Sequence, residues 1–286
     1  MGWIEQAIQN KRGEENMTKI AVTGYAGNIG SRMVLDYGYS PLVCDITRPS
    51  DIKDAIKITK PDVILHLAGK ANVNWCEAQE NQEEVQQTNY RGSQNVFEQA
   101  IKANIPAVYV SSDHIFDGKW FGKYDEDAVP NPLNFYGLSK FAAESLSVIY
   151  PNVHIVRTST LFWKESQSIS GIMASIKAGI DVHLPVYMWR SFLHIDHFCE
   201  MLDEYCSSAI EGNPKVLNLS GFKVVSWYKF IKDYAKAQGL DVSKVHPKFL
   251  EEKNHGYAPR ALRAGLNVNL SKKLGYPQYS YLDGIS

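Results

Sequence analysis

Three side chains between Ser111 and Lys140 could work on a single oxygen atom: the Ser112 hydroxyl, the Tyr136 phenol and the Lys140 amine. Tyr136 and Lys140 are four residues apart, a spacing that places both on one face of a helix. A cation beside a phenol favours the phenolate and lowers the tyrosine pKa. A phenol, ordinarily titrating at about 10, then becomes able to exchange a proton near neutrality. Ser112 closes the apolar run Ala107-Val108-Tyr109-Val110, which reads as a buried strand. From the end of that strand its hydroxyl can hydrogen-bond the same oxygen. The trio suits reduction of a carbonyl, with hydride to carbon and a proton to oxygen. A Tyr-x-x-x-Lys pair recurs by chance, so its weight rests on the elements around it.

The first of these elements is a nucleotide loop. Lys19-Ile20-Ala21-Val22-Thr23 is β-rich and leads into Gly24-Tyr25-Ala26-Gly27-Asn28-Ile29-Gly30, then a helical stretch from Ser31. Glycines at these places let the backbone turn tightly and approach a pyrophosphate, whose charge rests at the helix N-terminus. The motif is informative because it follows the first strand of an alternating α/β chain. Asp45 lies 21 residues after Gly24 in the run Pro41–Thr47, near the spacing of an acid that meets the adenosine ribose of NAD. Arg48 could instead hold a 2′-phosphate, and Asp45 also suits a helix cap. NADPH and NADH both stay open, with NADPH slightly preferred.

Asp51–Lys60 reads as a helix and Pro61–Gly69 as a third strand ending in small residues that let a cofactor pass close by. His66, inside that apolar run, reads as a core histidine. Asn72, Asn74, Trp75 and Glu77 follow in a loop at the C-terminal edge of the sheet, where open α/β sheets bind ligands. Glu83–Ala103 reads as one long helix with Asn89 in its apolar stripe, either bridging the active site or satisfying backbone groups. Ala107–Ser111, Val153–Arg157 and Val216–Ser220 are further strands, and Tyr136–Ile149 carries the phenol and the amine. Strands alternating with helices predict an α/β fold, a Rossmann-like doubly wound parallel sheet.

The balance of the chain excludes other classes. A net charge of −1 gives no electrostatic footprint for nucleic acid or an anionic membrane. No apolar run approaches the roughly 18 residues of a membrane span, and the N-terminus lacks the apolar core of a signal peptide. The expected location is the cytoplasm. Cys44, Cys76, Cys199 and Cys206 are scattered without metal-ligand spacing, so no metal is expected.

TGYAGNIG at 23–30, SSDHIFDG at 111–118, PLNFYGLSK at 132–140 and RTSTLF at 157–162 resemble the extended short-chain dehydrogenase/reductases, and more narrowly the dTDP-4-dehydrorhamnose reductase family. PRALRAGLNVNLSKKLG at 259–275 is a weaker match. The resemblance covers about residues 18 to 276. It implies an NAD(P)-binding domain over 17–160 plus 186–220, a smaller substrate-binding domain over 161–185 plus 221–286, and an extension over 1–16. It implies reduction of the 4-keto group of a nucleotide-diphosphate sugar, with Ser112 polarising the keto oxygen, Tyr136 donating the proton, and Lys140 tuning Tyr136 and holding the nicotinamide ribose. The cofactor contacts implied are Gly24, Tyr25, Gly27, Asn28, Ile29, Gly30, Asp45, Ile46, Arg48, Leu67, Ala68, Gly69, Asn89 and Ser111, besides Tyr136 and Lys140. Those implied for the substrate are Asn72, Asp113, His114, Thr160, Arg190 and Arg260. Arg190 is the best candidate in this part of the chain for a diphosphate contact, which its guanidinium suits; a surface arginine is the alternative. Members are often dimers, so a homodimer is expected.

The chain departs from that family on the substrate side. His114 stands where tyrosine is usual, Thr160 where tryptophan is usual, and Gly69-Lys70 replaces a small-aromatic pair. The segment from Gly30 to Asp45 is short, which predicts a trimmed second strand. Dehydratases of the same fold place Asp-Glu after the hydroxyl residue; Asp113-His114 here disfavours dehydration. The family also resembles the regulatory subunit of methionine adenosyltransferase, which keeps the fold as an interaction module.

Overall fold

The computed structural model describes residues 18–119, 123–208, 212–249 and 258–285. The extension over 1–16 lies outside the described residues. The chain forms two compact units that alternate along the sequence. The first takes the described residues up to Ser111, Leu138–Val156 and the described part of Cys199–Leu217; the second takes the described parts of Ser112–Gly137, Arg157–Phe198 and the chain from Asn218 onward.

The first unit is built on a six-stranded sheet of β1 (Ile20–Thr23), β2 (Ser40–Pro41), β3 (Val63–His66), β4 (Ala107–Ser112), β5 (Val153–Thr158) and β6 (Val216–Asn218), in the order β6-β5-β4-β3-β1-β2. β1 pairs in parallel with β2 and β3, and β3 with β4. Every residue of β1 and β3 is buried, as expected when helices cover both faces of a parallel sheet. Four helices matter here: α1 (Asn28–Leu35), α2 (Pro49–Thr59), α3 (Ser93–Lys102) and α4 (Phe135–Ser145). Ile52 and Ala55 of α2 and Val96 and Phe97 of α3 share a core with Ala21, Ile64 and Tyr109 of the sheet. The α/β class and the parallel sheet agree with the sequence expectation.

One element is trimmed as the sequence predicts, and one departs from its reading. The second strand is only two residues long. Leu42 adds one more bond to Val22, then the Asp45 carboxylate accepts the Thr47 amide at 2.9 Å and turns the chain. The helix expected over Glu83–Ala103 is interrupted: Gln82–Val85 is α-helical, Gln86–Gly92 is a π-helix, and α3 follows. A π turn inserts one residue into the ladder and commonly marks a functional position. Here it carries Asn89, 2% exposed.

The second unit has its own core, in which Phe162, Phe192, Phe230, Ile231 and Tyr281 pack together. Phe192 and Phe230 stack at 4.0 Å. The strand Trp189–Ser191 is central in a three-stranded sheet, antiparallel to Val224–Ser226 and parallel to Arg263–Ala264. Among the described residues no helix is long and apolar enough to cross a membrane, and no group of three or more His, Cys, Asp or Glu could hold a metal.

His66 makes a testable stability term. Burial, with Lys140 nearby, pushes its pKa down to about 3. The unfolded chain takes up this proton as pH falls through 6.5, whereas the folded chain resists it down to about 3. The unfolded state thus binds more protons inside that window, and stability drops as pH falls through it. Between pH 7 and pH 5 His66 alone is expected to cost about 2 kcal/mol. Urea unfolding of the wild type and His66→Gln at both pH values checks this. A slope unchanged by the substitution would contradict it.

Candidate active site

In the first unit the loop from β1 into α1 is shaped by two glycines. Gly24 has a φ of +67°, and a Cβ there would lie 2.7 Å from the Ala68 amide nitrogen. A Cβ on Gly30 would lie 2.3 Å from the Gly24 carbonyl oxygen, so α1 sits against the loop only because Gly30 has no side chain. Gly27 is the N-cap of α1 and offers no side-chain cap, which leaves the first-turn N–H groups for an anion. Tyr25 and Asn28 are exposed and Ile29 is half-buried.

At the neighbouring strand end Asp45 is exposed, and Thr47 holds its Oδ1 through both the amide and the hydroxyl, at 2.9 and 2.7 Å. These bonds hold its carboxyl below the usual range. Its Oδ2 lies 3.6 Å from Arg48 Nε. Asp45 is not the cap of α2; Arg48 occupies that place, ahead of Pro49. Ile46 is buried, with its carbonyl held by Asn95.

A buried polar chain runs beneath β1 and β3. Ser93 Oγ donates to the Asn89 carbonyl at 2.6 Å and therefore accepts from His66 Nε2 at 2.9 Å. His66 Nδ1 is then an acceptor for the Thr23 hydroxyl at 2.7 Å, whose oxygen accepts from the amides of Leu67 and Ala68. The core reading of His66 holds, and the chain fixes the backbone just before Gly69. The Asn89 amide completes the support. Its Oδ1 accepts from Lys70 N at 2.7 Å, and its Nδ2 donates to Lys70 O at 3.0 Å and to Ser139 Oγ at 2.9 Å on α4. The Asn89 side chain thus satisfies backbone groups of Lys70 and is tied to Ser139 on α4.

Lys140 donates to the Val110 carbonyl at 2.7 Å and lies 4.0 Å from the centre of the Tyr109 ring. Burial pushes its pKa down to about 7, with Glu144 opposing the shift. Ser111, the last residue of this stretch of the unit, is 2% exposed and its Oγ has no partner among the described residues. Asn72 is exposed and caps the short helix Val73–Glu77 by accepting from Trp75 N at 3.1 Å.

In the second unit Ser112 Oγ donates weakly to Asp113 Oδ1 and accepts from the His114 amide, both at 3.3 Å. Asp113 Oδ2 accepts from Ser159 Oγ at 2.6 Å and faces Arg190 Nε at 3.8 Å. Arg190 is 3% exposed, so it is no surface arginine. Its guanidinium donates to the carbonyls of Trp189 and Ala261, at 2.8 and 2.7 Å, and ties the strand to the segment after Pro259. Arg260 is half-buried and donates to the Ala258 carbonyl. Thr160 is half-buried and accepts from Leu193 N at 3.1 Å. The His114 ring stands edge-on to Tyr136, with centres 5.4 Å apart. Asn134 binds His114 Nδ1 at 3.2 Å and the Pro259 carbonyl at 2.8 Å, and it caps α4 through the Gly137 amide at 2.8 Å.

Each unit thus gathers part of the expected set. Lys140, Asn89, Ser111 and the glycine loop belong to the first; Ser112, Asp113, His114, Tyr136, Arg190 and Arg260 belong to the second. Tyr136 and Lys140 are the second and sixth residues of α4. Sequence reasoning missed Asn134, Ser139 and Ser159. The available signal was Asn134 itself, a capping residue three positions before Gly137.

The family model for the RmlD substrate binding domain matches residues 17–284. The chain belongs to this family. It is 28% identical to dTDP-4-dehydrorhamnose reductase of Aggregatibacter actinomycetemcomitans over 78% of this chain and 81% of that one. It is 30% identical to methionine adenosyltransferase 2 subunit beta of Xenopus tropicalis, over 97% and 88%. Among solved structures, dTDP-4-dehydrorhamnose reductase from Bacillus anthracis in complex with NADP superposes with a TM-score of 0.84 at 23% identity, covering 94% of this chain and 98% of that one. That likeness bears on the fold, and it agrees with the Rossmann-like reading. The family is the one the motifs resembled.

Proposed function

We propose that this member of the RmlD family is an NAD(P)H-dependent reductase acting on the 4-keto group of a nucleotide-linked 4-keto-6-deoxy sugar, in the supply of deoxysugar precursors. The observation that supports the reading is that this family member retains Ser112, Tyr136 and Lys140 in its sequence, with Ser112 ending β4 and the other two four residues apart in α4. The reductase relatives support it.

The first unit fits a dinucleotide. The glycine cradle has no room for a Cβ, the α1 N-terminus is uncapped, and the buried Ser111 hydroxyl awaits a partner. Gly24, Gly27 and Gly30 would hold the pyrophosphate, Asp45 and Arg48 the adenosine ribose, and Ser111 and Lys140 the nicotinamide end. When bound, the nicotinamide supplies hydride to the carbonyl carbon. The Ser112 hydroxyl hydrogen-bonds the carbonyl oxygen and polarises it. Tyr136 gives its phenolic proton to that oxygen as negative charge develops. Lys140, one turn along the helix, stabilises the tyrosinate left behind, because a nearby cation favours the charged form.

Gly30→Ala is expected to weaken nicotinamide cofactor binding about tenfold or more, since the added methyl must displace α1 from the phosphate loop. Gly171→Ala, where a Cβ meets nothing within 4 Å, is the control and should bind as the wild type does. Fluorescence titration with NADPH reads both. Equal affinity in the two variants would remove the loop from cofactor binding.

A second reading, a non-catalytic subunit of a larger enzyme, has one observation in its favour: the relative named methionine adenosyltransferase 2 subunit beta spans 97% of this chain. The assay that separates them follows NADPH or NADH oxidation with a dTDP-4-keto-6-deoxy sugar made in place. Turnover supports the reductase. Cofactor binding without turnover on any 4-keto sugar nucleotide supports the subunit.

A further inference from the structure

His114, which the family resemblance places among the substrate contacts, takes no part in the hydride and proton steps above, yet its surroundings hold it in one protonation state. Asn134 is the key. A backbone N–H can only donate, so the Asn134 atom that takes the Gly137 amide at 2.8 Å is the oxygen. The other end of the amide is therefore the NH2 group. It faces two atoms, the Pro259 carbonyl at 2.8 Å and His114 Nδ1 at 3.2 Å. Both must accept. His114 Nδ1 thus carries a lone pair, and the ring proton sits on Nε2. Protonating Nδ1 as well would set N–H against N–H.

The charged neighbours agree with this placement. Burial disfavours the imidazolium, as do the Arg190 and Arg260 guanidinium groups, and the Asp113 carboxylate opposes them; the net effect pushes the pKa down to about 4. The Tyr136 phenol also stands against the ring, edge-on with centres 5.4 Å apart. By residue exposure His114 is half-buried.

We propose that Asn134 is a positioning residue that locks His114 as a neutral Nε2–H donor beside Tyr136, and that this N–H binds an oxygen of the sugar substrate. A ring fixed in this way donates and cannot accept. It selects substrates that present a lone pair at this place, such as a keto or hydroxyl oxygen, over those that present only a donor. The substrate half of the proposal rests on the reductase reading.

The test combines a spectrum with kinetics on the full chain. Long-range 1H–15N correlation of 15N-labelled protein, with the His114 signals assigned by their loss in His114→Phe, should show the Nε2–H neutral tautomer at pH 7. His114→Phe keeps a ring edge against Tyr136 and loses the donor; KM for the 4-keto sugar nucleotide should rise about tenfold with NADPH affinity unchanged. His114→Gln, which restores an N–H donor, should recover most of the loss. Asn134→Asp keeps an oxygen for Gly137 but turns an acceptor toward Nδ1. It should move the His114 proton to Nδ1 or charge the ring, and raise KM as His114→Phe does. An Nδ1–H or charged His114 in the wild type would overturn the lock. An unchanged KM in His114→Phe, in an enzyme that turns over, would overturn the substrate contact alone. A wild type that reduces no 4-keto sugar nucleotide would overturn the reductase reading and the sugar contact with it, while the spectrum still decides the lock.

Discussion

Tyr136→Phe is expected to lower kcat about 10³-fold while leaving NADPH affinity close to that of the wild type, because the change removes one oxygen atom and the proton it carries. The ring remains, so its edge-on packing with His114 remains. The proton is needed only as the carbonyl oxygen becomes an alkoxide, so the loss should fall on kcat and kcat/KM together, with little change in substrate binding. Steady-state kinetics together with a cofactor titration separate the two. A mutant that binds NADPH poorly would instead make Tyr136 a cofactor ligand, and a mutant that turns over normally would take it out of the chemistry.

The second large effect concerns Lys140. Its ammonium is buried against the Val110 carbonyl and the Tyr109 ring, and its pKa is pushed down to about 7 by that burial. In the free enzyme the amine is charged below about pH 7 and neutral above it. The charged form is the one that stabilises the tyrosinate. Wild-type kcat/KM should therefore hold level on the acid side and fall as pH rises through about 7, since this parameter reports groups of the free enzyme. Lys140→Met should cost about 10²-fold in kcat/KM at pH 6.5 and should abolish that limb of the profile. A profile with the same limb in Lys140→Met would assign the titration to another group. Stability runs the other way with the same proton. Between about 7 and the ordinary 10.5 the unfolded chain is charged at this position and the folded chain is not, so stability from this group rises with pH across that window.

What was legible in the sequence was local. The glycine loop could be read because a tight turn, a close backbone approach and a helix start all fall within seven residues, Gly24–Gly30. The phenol and amine could be read because four residues on a helix make one face. Ser112 could be read because it ends an apolar run. The two-residue second strand was foreshadowed by the short segment before Asp45, although the Thr47 turn that ends it was not. The π-helical turn at Asn89 was hidden, since its residues have ordinary helical composition and only the contacts to Lys70 and Ser139, 19 and 50 positions away, give it a purpose. Arg190 illustrates the same limit. Its sequence context allows a phosphate contact or a surface position, and the structure shows a third arrangement, a buried tie to Asp113 and to a carbonyl 71 positions on. The Asn134 amide is more distant still, joining Pro259 across 125 positions. Helical and strand periods carry no information about such pairings, because they depend on which loops meet after the sheet has formed.

Transfer of the hydride itself is the central claim, and isotope transfer tests it most directly. NADPH deuterated at C4 of the nicotinamide, prepared as each of the two epimers, would be incubated with the enzyme and a dTDP-4-keto-6-deoxy sugar, and the product analysed by mass spectrometry and NMR. One epimer, and not the other, should deliver deuterium to C4 of the sugar, and Tyr136→Phe should suppress the labelled product. Cofactor that binds tightly while both epimers leave the sugar unlabelled and unreduced would contradict the account, and would leave the fold serving as a binding module.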